Sequence, residues 1–554
     1  MSTGFSQGQG DLTDGFVPFP ADRAATYRHA GYWTGQPLDS ILSNAAARWP
    51  EVTAIVDAQR SYTFAELDAV ADRVAARLAA RGLQAGDRVL LQLPNTTEFA
   101  VAFFGLLRAG VVPVMCLSGH RSAELSHFAG ISGAVGLVIT DTAAGFDFRA
   151  MAAQLQRDHP QLRHVIVDGD PGGYLPWSAL TDPGADGPAT APVRGQFDPA
   201  APALLLVSGG TTGLPKLIAR THDDYVYTAV ASAREYRMTS DDTYLVALPA
   251  GHNFPLACPG LLGAMTVGAP TVFTDDPSPE NAFALIDKHH VTVTGLVNAL
   301  AKVWAQACDW EPVLPTSLRV VQVGGSRMTA EEARFILDNL TPGLSQIFGM
   351  AEGMLNFTRP GDPVEVLLHT QGRPMSPHDE MLVVDEHGDA VALGEEGELL
   401  VRGPNTINGY YRAEEANARS FSAQGHYRSG DRVRIFADGP LAGHVEVTGR
   451  IKDVIHRGGE TVSASDLEEH LFAHPGIYAA AAVALPDEYL GEKICAAVVF
   501  SGKELTLAEL HGFLDSRGVS SHAKPDMLAG LPSLPKTAVG KVDKKQIIAL
   551  LGSS

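Results

Sequence analysis

Val207-Ser-Gly-Gly-Thr-Thr-Gly-Leu-Pro-Lys216 is the stretch on which the reading of this chain turns. The apolar run 203–207 ahead of it has the length and bulk of a short buried strand. That run breaks into a loop carrying Gly209, Gly210 and Gly213, the hydroxyls of Ser208, Thr211 and Thr212, and the cation of Lys216. Glycine lets backbone N–H groups approach an anion closely and point at it, and hydroxyls and a lysine add donors and charge. The composition is therefore that of a polyphosphate-binding turn. It is not the pattern in which Gly, Lys and Ser or Thr are adjacent, because Leu214-Pro215 intervene. Taken alone, the stretch also fits a solvent-exposed turn.

Outward from this loop, strands alternate with helices. Residues 88–93, 111–115, 165–167, 244–248, 271–273, 291–296 and 320–323 are short apolar runs, and residues 65–82 carry Leu67, Val70, Ala71, Val74 and Leu78 at helical spacing. Such alternation predicts an α/β fold with mostly parallel sheets. Residues 53–56 and 61–64 read as a hairpin, and residues 1–38, rich in Gly, Pro and scattered aromatics, as an arm lying over a domain. Residues 168–198, rich in Gly, Pro, Asp and Ala, read as a surface loop. After about residue 360 short strands with Gly and Pro turns predict a β-rich subdomain to about residue 450. From 451 a helix–strand–strand–helix pattern predicts a compact α+β unit near the usual domain size.

With 554 residues the chain is too long for one core. A net charge of −21 and a pI near 5.3 argue against a general nucleic-acid binder, whose footprint is basic. Cys116, Cys258, Cys308 and Cys495 are widely spaced with no CxxC pair, which fits a reducing cytoplasm better than a disulfide framework or zinc site. No signal-peptide pattern opens the chain, and no apolar run approaches the roughly 20 residues of a spanning helix.

Six motifs in order resemble the adenylate-forming superfamily of acyl-CoA synthetases, luciferases and nonribosomal-peptide adenylation enzymes. They are the loop Ser208–Lys216; Phe348-Gly-Met-Ala-Glu352; Gly397-Glu-Leu with Arg402-Gly403; Tyr427-Arg-Ser-Gly-Asp431; Gly449-Arg-Ile-Lys-Asp453; and Pro535-Lys-Thr-Ala-Val-Gly-Lys541. The resemblance covers nearly the whole chain. It implies a large N-terminal domain, 1–450, of αβαβα-layered mostly parallel sheets plus the β subdomain, and a small mobile C-terminal domain, 451–554, hinged at Lys452. It also implies ATP and Mg²⁺ as cofactors. Attack of a carboxylate on the α-phosphorus of ATP gathers negative charge that must be positioned and neutralised. By resemblance the loop and Lys216 hold the β- and γ-phosphates, Glu352 holds Mg²⁺, Asp431 accepts from both ribose hydroxyls, and Arg450 assists at ribose or phosphate. Lys541 reaches the substrate carboxylate and α-phosphate during adenylation only. Outside this context Glu352 would read as a solvated surface residue, Asp431 as a turn aspartate and Lys541 as an ordinary exposed lysine.

The acid is addressed by Pro249-Ala-Gly-His-Asn-Phe-Pro-Leu-Ala-Cys-Pro-Gly260. His252-Asn253-Phe254-Pro-Leu resembles the aryl-acid branch, the stand-alone ligases that begin catecholate and phenolate siderophores. Asn253 stands where amino-acid-activating relatives place an aspartate, and a neutral amide can hydrogen-bond an ortho-hydroxyl. Phe254 offers a ring wall, and Gly324 and Gly325 are expected between ring and adenine. His252 is expected beside the carboxylate; a satisfied core histidine is the alternative. Cys258 and Leu355 match salicylate-using relatives, whereas those taking 2,3-dihydroxybenzoate carry a small hydroxyl residue and valine there. A thiol leaves a 3-hydroxyl poorly satisfied and leucine fills more space. With no neighbouring base visible, Cys258 reads as a pocket wall rather than a nucleophile.

The expectation is thus adenylation of salicylate and transfer to the phosphopantetheine thiol of an aryl carrier protein supplied by another chain, with no nucleic-acid or membrane partner. The alternatives are 2,3-dihydroxybenzoate, or 3-hydroxypicolinate or anthranilate if Asn298 lines the pocket, then an aryl-CoA ligase, then a non-catalytic adenylate-binding scaffold. The presence of Lys216, Glu352, Asp431 and Lys541 argues against the scaffold.

Overall fold

The computed structural model describes residues 14–187, 197–208, 215–451, 454–457, 460–487, 489–517, 519, 521–537 and 540–552. Alternating side chains on each buried strand decide how its layers stack. In the seven-stranded sheet, Val89, Leu91, Leu204 and Leu206 face helices Phe64–Ala80, Thr97–Arg108, His222–Glu235 and Gly260–Thr266. The intervening Leu90, Leu137 and Leu205 face helices Ser122–Ser132 and Phe148–Asp158. The nine-stranded sheet repeats this: Tyr244, Val246 and Val293 join the shared central cluster, while Leu245, Val272 and Val321 face helices Pro279–His289, Asn298–Ala307 and Ala330–Asn339. The result is an αβαβα stack with helices sandwiched between two mostly parallel sheets. Each fully buried Leu, Val or Phe contributes on the order of 1.5–3 kcal/mol.

Antiparallel pairs sit where the chain must turn back at a sheet edge. Strand Pro202–Val207 pairs with Leu217–Thr221 on either side of the glycine-rich loop, whose residues 209–214 lie outside the described residues. Strands Leu344–Met350 and Gly353–Phe357 leave Ala351-Glu352 as the hairpin tip. Strands Glu380–Val384, Glu396–Arg402, Tyr427–Ile435 and Val445–Arg450 form a separate antiparallel sheet. A further sheet begins at Val454 and carries the long hairpin Ile477–Asp487 with Gly491–Phe500; the expected hinge, Lys452, lies between the two, outside the described residues.

Several boundaries moved. The strand expected at Tyr427-Arg428 runs on to Ile435, because Val433 and Ile435 reach the core while Arg432 and Arg434 pair with Glu396 on the wet face. The arm contains a helix, Ala21–His29, anchored by Arg28 on Asp223 (2.6 Å) and by the Trp33 indole on Pro404 O (3.0 Å). The expected loop 168–198 holds the short strand Leu175–Pro176 and helix Ser178–Thr181, with 188–196 outside the described residues. Among the described residues no helix is long and apolar enough to cross a membrane.

Candidate active site

At the base of the glycine-rich loop, Ser208 N–H donates to Lys216 O, and Lys216 N–H donates to Ser208 Oγ, both at 2.9 Å. These two bonds close the loop's neck. Gly209, Gly210, Thr211, Thr212 and Gly213 themselves lie outside the described residues. The Lys216 ammonium sits 4.9 Å from the centre of the Tyr410 ring. The Tyr410 hydroxyl donates to Glu352 Oε1 at 2.8 Å and meets the Tyr427 hydroxyl at 3.0 Å. Tyr410 therefore links the cation after the loop to the carboxylate at the hairpin tip.

Glu352 is buried, and its placement is enforced from behind. Arg220, itself fully buried, donates to Ala351 O (2.9 Å) and Asn405 O (3.1 Å) and pairs with Asp224 at 2.7 Å. Gly353, at φ +147, lies where a Cβ would fall 2.3 Å from Thr406 Cα. Only glycine allows the hairpin tip to seat this closely.

Asp431 and Arg450 face each other across paired strands, and Arg450 Nε donates to Asp431 Oδ1 at 2.8 Å. Asp431 N–H donates to Ser429 Oγ. The Lys541 carbonyl accepts from Thr537 N–H at 2.7 Å. A Cβ on Gly325 would fall 3.4 Å from Lys541 Cε, so the lysine stem passes directly over that glycine. Lys541 is exposed yet closely surrounded by protein. That enclosure, with Arg450 nearby, lowers its ammonium below the usual lysine range, while Asp431 and Glu352 oppose the shift. Burial, and secondarily the Lys541 charge, pulls His252 down to about 4.

His252, Asn253, Phe254 and Cys258 come from one short helix, Asn253–Ala257, and its two ends. His252 caps it, accepting from Phe254 N–H at Nδ1 (3.2 Å). Asn253 Oδ1 accepts from the Tyr225 hydroxyl (2.9 Å), and Asn253 Nδ2 lies 3.4 Å from Cys258 Sγ. The Phe254 ring edge lies 3.5 Å from where a Cβ on Gly324 would fall. Ring and glycine wall are thus in contact. Leu355 is buried in the same apolar cluster as Phe254 and Cys258, packed over Gly349. Burial raises the Cys258 thiol to about 12, which makes it inert at neutral pH. The Asn298 amide N–H donates to Glu332 at 3.0 Å, beside the Lys302–Glu332 ion pair, while its buried Oδ1 has no hydrogen-bond partner among the described residues.

Two cavities of about 310 and 280 Å³ open along the seam beside Arg327 and beside Phe472, and none of the expected site residues lines either. Sequence reasoning missed Tyr225, Arg220 and Tyr410. Each is separated in sequence from the group it holds, so no local pattern marks it.

The chain belongs to the AMP-binding enzyme family: that family's model matches residues 42–411, and the model of the family's C-terminal domain matches residues 466–541. It is thus one of the adenylate-forming enzymes. It is 62% identical over 543 residues to the salicyl-AMP ligase / salicyl-S-ArCP synthetase of Mycobacterium tuberculosis, covering 97% of this chain and 95% of that protein. It is 44% identical over 536 residues to the 2,3-dihydroxybenzoate-AMP ligase of Bacillus subtilis, covering 97% of each. The apo structure of MbtA from Mycobacterium smegmatis matches with a TM-score of 0.77 at 64% identity, covering 98% of this chain and 100% of that one.

Proposed function

We propose that this enzyme activates salicylate with ATP, forming salicyl-adenylate and pyrophosphate, and passes the acyl group to the phosphopantetheine thiol of an aryl carrier protein. The observation that carries the reading is the grouping of Asn253 beside Cys258 and of the Phe254 ring against Gly324, a neutral and aromatic set of side chains. At position 253 a neutral amide, not a carboxylate, is presented, which suits an acid without an α-ammonium. Cys258 is a poor partner for a ring 3-hydroxyl, which favours salicylate over 2,3-dihydroxybenzoate. The stronger likeness to a salicyl-AMP ligase than to a 2,3-dihydroxybenzoate-AMP ligase supports the same choice.

In this reading His252 offers the acid's carboxylate an Nε2–H, because its Nδ1 is already an acceptor. Lys541 lies across Gly325 to neutralise the carboxylate and the α-phosphate as they meet. Asp431, oriented by Arg450, receives the ribose hydroxyls, and Lys216 with residues 208–213 receives the outer phosphates. The donor set at Glu352 fits Mg²⁺. One carboxylate oxygen accepts from the Tyr410 hydroxyl, which orients the group. An ion held by a single carboxylate and phosphate oxygens is the usual magnesium arrangement, and when bound it supplies charge neutralisation for the departing pyrophosphate.

Residues 1–450 and 451–554 then act as two units about Lys452, the second presenting Lys541 for adenylation and withdrawing it for thiolation. We place the enzyme in a reducing cytoplasm, where its four unpaired cysteines are stable.

ATP–pyrophosphate exchange across salicylate, 2,3-dihydroxybenzoate, 3-hydroxypicolinate, anthranilate and benzoate tests the reading. The highest kcat/KM is expected with salicylate, and a higher value for any other acid overturns it. Loading of a carrier protein against free CoA then separates carrier transfer from CoA ligation.

A further inference from the structure

The geometry points to Tyr225 as the residue that sets which ortho substituent the site accepts, by holding the Asn253 amide in one orientation. Tyr225 is fully buried on helix His222–Glu235, and its ring is fixed beneath Arg220, whose Cζ lies 5.0 Å from the ring centre. Its hydroxyl donates to Asn253 Oδ1 at 2.9 Å. A buried phenol that donates to nothing is costly, so this bond commits the amide oxygen to the tyrosine and turns the NH₂ group the other way. One amide hydrogen then meets Cys258 Sγ, a weak acceptor at 3.4 Å. Among the described residues the second has no partner, and it is left for the ligand.

This inference rests on the proposed slot for an ortho-substituted aryl acid and adds a rule to it. The hydroxyl of salicylate donates to its own carboxylate and offers the protein an oxygen acceptor, which an amide NH₂ satisfies. The amino group of anthranilate also donates one hydrogen to its carboxylate. It then offers the protein its second N–H and only a delocalised lone pair, so it needs an acceptor. With Oδ1 held by Tyr225, the site presents a donor where anthranilate presents a donor. A site built to hydrogen-bond one group rejects the analogue that leaves its own polar atoms unmatched. Tyr225 touches neither acid in this account; it acts through Asn253 as a positioning residue.

The test is ATP–pyrophosphate exchange on the full chain with salicylate, anthranilate and benzoate, in wild type, Tyr225→Phe, Asn253→Asp and the double variant. Wild type should favour salicylate over anthranilate. In Tyr225→Phe the amide is free to rotate, and the salicylate-to-anthranilate ratio of kcat/KM should fall by about tenfold, with benzoate changed far less. Asn253→Asp should swing preference toward anthranilate. Adding Tyr225→Phe to it should leave that ratio unmoved, because no amide remains to orient. Equal losses on all three acids in Tyr225→Phe, or an unchanged ratio, overturn the inference while leaving the salicylate assignment intact. Wild type using anthranilate as well as salicylate overturns it without any variant. Absence of exchange with salicylate, alongside activity on another acid, removes the functional reading itself.

Discussion

His252 accepts a backbone hydrogen bond at Nδ1 and sits where protonation is disfavoured, its pKa drawn from 6.5 to about 4 by burial and by Lys541. Its folded pKa is depressed, so the unfolded chain takes up the proton first as pH falls. The stability His252 contributes is present above pH 6.5 and is lost between 6.5 and about 4, up to about 3 kcal/mol for an undiscounted shift of this size. His252→Gln should therefore flatten the acid limb of a stability-versus-pH curve, measured by denaturant midpoint at each pH. His120, likewise pulled to about 4 by burial, should keep the remaining slope. Ring specificity is decided at the same scale. Cys258→Ser with Leu355→Val supplies a hydroxyl partner and space together. It should shift relative kcat/KM toward 2,3-dihydroxybenzoate by about tenfold, the size of one satisfied buried hydrogen bond. An unmoved ratio would place both residues away from the ring.

At the scale of elements, the buried pair Arg220–Asp224 joins strand Leu217–Thr221 and helix His222–Glu235 to the hairpin tip that carries Glu352. Arg220→Leu strips the partner from a fully buried carboxylate and should cost about 3–5 kcal/mol in unfolding free energy. Arg220→Met with Asp224→Leu should recover most of that stability. It should not recover adenylation, because the bonds to Ala351 and Asn405 stay lost. Denaturant unfolding and pyrophosphate exchange on the same samples check both halves. This network also marks the boundary of what was legible beforehand. Strands such as Thr271–Phe273 and the helix over Phe64–Ala80 were readable because burial imposes a period on neighbouring residues. The candidates His252, Asn253, Phe254 and Cys258 were readable because they share one short segment. Tyr410 to Glu352 spans 58 positions and Arg220 to Ala351 spans 131, so their partnership exists only after the sheets assemble. Asn298 could be named but not aimed: only the fold turns its amide onto Glu332.

For the whole molecule, the last hundred residues bring one group into the site from outside the large sheets. Lys541 lies over Gly325, while Arg327 reaches Glu469 at 3.4 Å and Lys302 lies 4.9 Å from the Phe472 ring. These described contacts are polar and partly exposed, and each is worth at most about 1 kcal/mol. Contacts of this kind can be exchanged for others, as the proposed use of one site for two half-reactions requires. If Lys541 serves only the first, Lys541→Ala should cut salicylate-dependent pyrophosphate exchange by about 100-fold or more, the cost of removing a principal charge-stabilising donor. Transfer from pre-formed salicyl-adenylate to the carrier thiol should stay within about threefold of wild type, since that step leaves the α-phosphate charge to depart with AMP. The two rates are measured separately, by exchange and by single-turnover loading of the carrier. Equal losses in both would mean that Lys541 stays in the site throughout, and that the C-terminal unit does not change partners between the steps.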